Sequence, residues 1–184
     1  TSPTNIGLQL LAAVTAYEAA RMYEKGFVLK PLMSTAMMLA YLCGMRGDYR
    51  KALAWIERDV RQQNLSGELV VDHIWQAAYH LHLEEFDAAL GDARRAFAVA
   101  DSAGILGMMG AALQAEGALL LEWGRFDDAR DLFRDRYVIP GFDMQRAPYA
   151  LAFRECHLGL IEAAEGDMRA AGEAAGRLEA LLPD

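Results

Sequence analysis

Trp123-Gly124-Arg125-Phe126-Asp127-Asp128-Ala129-Arg130-Asp131-Leu132-Phe133 is the stretch on which the fold turns. Gly124 breaks one apolar helix pattern. Phe126 and Ala129 begin another, and Phe133 continues the face of Ala129 one turn on. A glycine to turn on, an aromatic to plug a helix pair and an alanine where the helices touch together predict a tight helical hairpin. The same phrase returns as Gly47-Asp48-Tyr49-Arg50-Lys51-Ala52, as Glu84-Glu85-Phe86-Asp87-Ala88-Ala89 and as Gly166-Asp167-Met168-Arg169-Ala170-Ala171.

Taking Tyr49, Phe86, Phe126 and Met168 as anchors, the intervals are 37, 40 and 42 residues. An alanine lies three after each anchor: Ala52, Ala89, Ala129 and Ala171. Ile56, Ala93, Phe133 and Ala175 lie seven after, and Ala40, Ala77, Gly117 and Gly159 nine before. Small residues at crossing points with a near-regular period predict a helical solenoid.

The flanking sequence fills in the elements. Hairpins are expected at about 32–63, 68–103, 106–136 and 148–182, with a helix over about 4–25 before them. Thr4 or Asn5 caps that helix, Gly26 stops it, and Ile6, Leu10, Ala13, Tyr17 and Ala20 share one face. It reads as the second half of an earlier repeat, with Leu10 as anchor. Pro31 opens the next helix. Asn64 to Gly67 reads as a polar loop, and Tyr137 to Gln145, with Pro140-Gly141, as the longest irregular connection. Leu69-Val70-Val71 is the only strand candidate and is too short to compete. The expectation is one all-α domain over residues 1–184.

These residues resemble the tetratricopeptide repeat family: the small residue in the first helix, the Gly-Asp-Tyr/Phe turn, the alanine after it and the large residue four later. The family's usual period is about 34. The longer intervals here are similar to the repeats of large bacterial regulators that join an ATPase, a helical-repeat sensor and a DNA-binding domain. The resemblance implies a right-handed solenoid of antiparallel hairpins and a non-catalytic role in protein–protein interaction or scaffolding, as a segment of a larger protein. The alternative it implies is an effector-sensing domain of a bacterial transcriptional regulator, binding a small apolar ligand or a regulatory protein in its concave groove. The family's groove positions carry over to Met37, Tyr41 and Met45, to Ile74, Ala78 and Leu81, to Gln114, Ala118 and Leu121, and to Phe153, Cys156 and Leu160. None is Lys or Asn, so the carboxylate clamp of the family's best-known peptide readers is not implied.

Composition narrows the remaining classes. Net charge is −8, and no polybasic run serves nucleic acid or an anionic membrane. No apolar run approaches the roughly 20 residues of a membrane span. Cys43 and Cys156 share no short motif, the usage of a reduced cytoplasmic protein. The start at Thr1, without an initiator methionine or signal-peptide pattern, reads as a piece of something longer.

His73, His80 and Glu84 share a helix face, but without a complete ligand spacing they predict packing and no metal. Cys156 and His157 are neighbours that diverge on a helix and form no nucleophile–base pair. Asp127, Asp128 and Asp131 favour a helix start. The expectation is a non-enzyme without cofactor, whose partner is a protein or peptide, a second copy of the chain included.

Overall fold

A computed structural model describes residues 35–62, 65–137 and 148–181. The predicted helix at 4–25, its reading as a half-repeat, and most of the connection from Tyr137 to Gln145 lie outside these residues. Among the described residues every regular element is helical. In chain order they are α1 (Thr35–Met45), α2 (Tyr49–Val60), α3 (Ser66–His82), α4 (Phe86–Ser102), α5 (Leu106–Glu122), α6 (Phe126–Asp131) running into a π-helical turn (Leu132–Arg136), α7 (Pro148–Ala164) and α8 (Met168–Glu179). Leu69-Val70-Val71 is helical, and α3 starts at Ser66, inside the expected loop.

Each anchor is the first residue of its helix: Tyr49 of α2, Phe86 of α4, Phe126 of α6 and Met168 of α8. The turn before each is built one way. Asp48 N–H reaches back to the Cys43 carbonyl, Glu85 to His80, Arg125 to Leu120 and Asp167 to Glu162, each at 2.8–2.9 Å. This six-to-one bond closes the helix end only if the residue before it is left-handed. Gly47, Gly124 and Gly166 supply that conformation at φ of 79°, 74° and 87°. In the second turn Glu84 adopts it at φ 61°, a region costly to a side chain.

Each helix packs on the next in sequence, and α3, α5 and α7 also touch in succession. The main core runs from Val70 on α3 to Ile161 on α7, centred on Leu113, Leu120, Leu132, Phe133 and Tyr137. A smaller one joins Ala77, Ala89, Ala93 and Leu119. Ala52, Ala89 and Ala129 are fully buried, as their register predicts.

Gly117 shows what the small positions are for. A Cβ there would lie 2.2 Å from Phe133 Cζ, so the fully buried ring fills the space a side chain would occupy. At Gly159 the corresponding atom would meet only Ala174 Cβ at 3.2 Å.

Two substitutions test this frame in chemical denaturation. Gly117→Ala is expected to cost about 1–3 kcal/mol through overpacking, and clearly more than Gly159→Ala. Glu84→Gly is expected to raise stability by about 0.5–1 kcal/mol, because relief of the left-handed strain outweighs the entropy of glycine.

Candidate interaction surface

The anchors were expected to plug their own helix pairs; Met168, exposed by 69%, does not, and Tyr49 and Phe86 reach to the following pair. Tyr49 stacks on His82 at 4.5 Å and lies 6.1 Å from Tyr79, both at the end of the following pair's first helix. Phe86 stacks on Trp123 at 5.4 Å in the same way. The seam between pairs is therefore lined with rings, and ion pairs cross it. Arg50 meets Glu85, Arg94 meets Glu116 at 3.0 Å, and Arg130 meets Glu162 and Glu165.

The predicted groove residues divide into three groups. Met37 is 4% exposed, which corrects its assignment to an open surface: it points into the core beside Ala40. Ile74, Leu121 and Phe153 are half-buried on the main core, and Leu81 on the smaller one. Phe153 lies among Phe133, Tyr137 and His157, with the His157 ring stacked at 3.9 Å. Gln114 is half-buried and donates to the Tyr137 hydroxyl. Tyr41 meets the edge of Trp75 at 6.0 Å. Ala78 and Ala118 are half-buried. Only Met45 at 70%, Leu160 at 54% and Cys156 stand open.

Register from the anchor does not decide exposure: twelve residues before their anchors, Met37 is buried, Ile74 and Gln114 are half-buried and Cys156 is exposed. Sequence reading missed Met38 and Leu42, exposed by 47% and 52%, and Met168, exposed by 69%. Spacing alone signalled the first two, since Met38, Leu42 and Met45 form one helical stripe.

The histidines of α3 are held within the fold. His80 Nδ1 lies 2.7 Å from Glu85 and Nε2 3.5 Å from the buried Asp92. His73 Nδ1 lies 2.8 Å from Gln76 Oε1. Glu84, the carboxylate grouped with these histidines on sequence, stays exposed at its turn, and Glu85 takes the contact. Hydrogen bonds from His80 and Arg50 hold the Glu85 carboxyl below its usual range. Among the described residues no three His, Cys, Asp or Glu side chains are grouped to hold a metal ion. His157, next to exposed Cys156, is lowered from its ordinary value by burial, and its Nδ1 donates to the Phe153 carbonyl at 2.8 Å. Among the described residues no helix is long and apolar enough to cross a membrane.

No family model, curated protein or solved structure matches the chain.

One buried charge lacks compensation. Asp72 on α3 is 1% exposed, its Oδ2 has no hydrogen-bond partner among the described residues, and its carboxyl is pushed up to about 7. Desolvation is the main cause, followed by repulsion from Asp59 and Glu68. The folded state therefore binds this proton more tightly than the unfolded chain, so stability falls as pH rises from about 4 through 7. Asp72→Asn is expected to raise the melting temperature at pH 8, with an advantage that shrinks to nothing near pH 4. An advantage that does not change with pH would assign the effect to packing.

Proposed function

We propose that the chain is a non-catalytic protein–protein interaction module, a segment of a larger protein whose helix pairs stack as a right-handed solenoid of the tetratricopeptide type. The observation that carries this reading is register. At the first two seams the anchor ring stacks on a ring at the end of the next pair's first helix, and the alanine three after the anchor is fully buried in the first three pairs. Units that bury their faces mainly against neighbours form extended arrays and present a row of first helices to a partner.

The row suited to a partner lies eight residues before each anchor: Tyr41, Ala78, Ala118 and Leu160, none of them fully buried. It is apolar throughout and small in the middle. That shape fits an apolar helix or extended peptide better than a charged one.

A photo-crosslinking amino acid placed singly at Tyr41, Ala118 or Leu160 is expected to capture one discrete polypeptide in cells. The same group at exposed Ala54 or Ala98 is expected to capture none. Equal capture from both sets would overturn the assignment. A melting temperature raised by a small apolar metabolite and by no polypeptide would favour the ligand-sensor reading, through binding to the folded state.

A further inference from the structure

His80 stands near the end of α3, and each of its ring nitrogens faces a carboxylate. Nδ1 lies 2.7 Å from Glu85 in the turn, and Nε2 lies 3.5 Å from Asp92 Oδ2 on α4. The two acids are differently placed. Glu85 is half-buried and also accepts from Arg50 of α2. Asp92 is 2% exposed. Its Oδ1 accepts from Arg95, while its Oδ2 has no hydrogen-bond partner among the described residues.

A neutral imidazole carries one N–H and one lone pair. The short contact to Glu85 claims the N–H, because a lone pair held 2.7 Å from a carboxylate would repel it. The hydrogen bond from His80 is also the first cause of the lowered Glu85 carboxyl. Nε2 is then a lone pair turned toward a second carboxylate. This accounts for an orphaned Oδ2 with a nitrogen standing next to it. One proton removes the conflict. With an N–H at both positions, the ring donates to Glu85 and Asp92 together. Charged bonds of this kind are about 2.7–2.9 Å long, so the ring and the Asp92 carboxylate draw closer.

The surroundings are electrically even. α2 brings Arg50, the turn brings Glu85, and α4 brings Asp92 and Arg95, two charges of each sign. His73 of α3 has Nδ1 3.9 Å from Asp92 Oδ1 and 2.8 Å from Gln76 Oε1. Glu84 stays exposed at its turn. From α5, Leu119 and Ala115 pack with Ala77 and Leu81, and the buried Glu116 is held by Arg94 and Arg136. The His80 side chain is 20% exposed, enough to exchange a proton with water.

We infer that His80 is a proton-operated latch: neutral, it holds only the turn residue Glu85, and protonated it also binds Asp92 and locks the end of α3 to α4. By linkage, a bond that the charged ring makes in the folded chain and not in the unfolded one adds stability at acid pH. That stability is lost as pH rises through the range, about 5 to 8, in which histidine changes charge. The second helix pair thus stiffens on acidification. The inference rests on the count of hydrogen bonds at one ring, so the interaction reading can fail without affecting it.

Nitrogen-15 spectra of the imidazole rings in the full chain test it, with His80 assigned by the signals that His80→Gln removes. At pH 8 the ring is expected to carry its proton on Nδ1, and at pH 5 on both nitrogens. Denaturant unfolding gives the second readout. His80→Gln is expected to lower the midpoint more at pH 5 than at pH 8. In an Asp92→Asn background its loss is expected to be the same at both. Asp72 is common to every chain compared, so its own pH dependence cancels. An Nε2–H ring at pH 8, a loss no greater at pH 5 in the parent background, or a pH-dependent loss that survives Asp92→Asn would each overturn the inference. Where Asp92→Asn does not fold, the ring protonation and the parent comparison decide.

Discussion

Phe133 stands where residue 117 has no side chain, and much of the described structure depends on that contact. The ring is fully buried against Gly117 and meets Tyr137, Phe153 and His157. It thereby ties α5 to α6 and both to α7. A glycine inside a helix costs about 0.5–1 kcal/mol relative to alanine. Burying a phenylalanine side chain returns about 1.5–3 kcal/mol, so the exchange favours the fold. The π-helical turn at Leu132–Arg136 belongs to the same solution. It carries the chain from Phe133 to Tyr137, so that both rings enter one core and Gln114 can bond the Tyr137 hydroxyl.

Buried charge is handled in two contrasting ways. Glu116 on α5 is fully buried, but Arg94 at 3.0 Å and Arg136 at 3.1 and 3.2 Å bond both of its oxygens. Arginine suits this role because its fork satisfies several lone pairs while its stem covers apolar surface. Asp72 Oδ2 has no such clamp among the described residues, and repulsion from Asp59 on the neighbouring helix adds to its cost. At neutral pH the contact between α2 and α3 thus carries an electrostatic penalty that the contact between α4 and α5 escapes. Uneven compensation of this kind makes one helix contact easier to open than the others.

The local grammar of the turns was legible in the sequence because it is enforced by backbone geometry. A left-handed residue, an anchor and an alanine three later must recur wherever a helix reverses and packs closely, and Gly47, Gly124 and Gly166 say so directly. At the second turn Glu84 stands where the other three have glycine, and its positive φ gives that departure a physical meaning. The exposed surface was less legible. Whether Met37 or Met38 faces water depends on helix rotation, and one residue moves a side chain by about 100°. The open face was therefore assigned to Met37 and Phe153 along with Met45 and Leu160; the last two are exposed, and Met38 and Leu42 join them in place of the first two. Likewise helix spacing grouped Glu84 with His80, but the left-handed turn leaves Glu84 outward and puts Glu85 in the contact.

The seams also differ in chemistry although they share a register. Between the first and second pairs the contact is aromatic, with Tyr41 and Tyr49 against Trp75, Tyr79 and His82. Between the second and third the core is almost bare of rings, Leu119 sitting among alanines, and the outer edge is closed by Phe86 on Trp123. Between the third and fourth Ile161 and His157 meet the Phe133 region. Each contact is shaped for its own neighbours, so the pairs cannot exchange places without leaving voids or clashes.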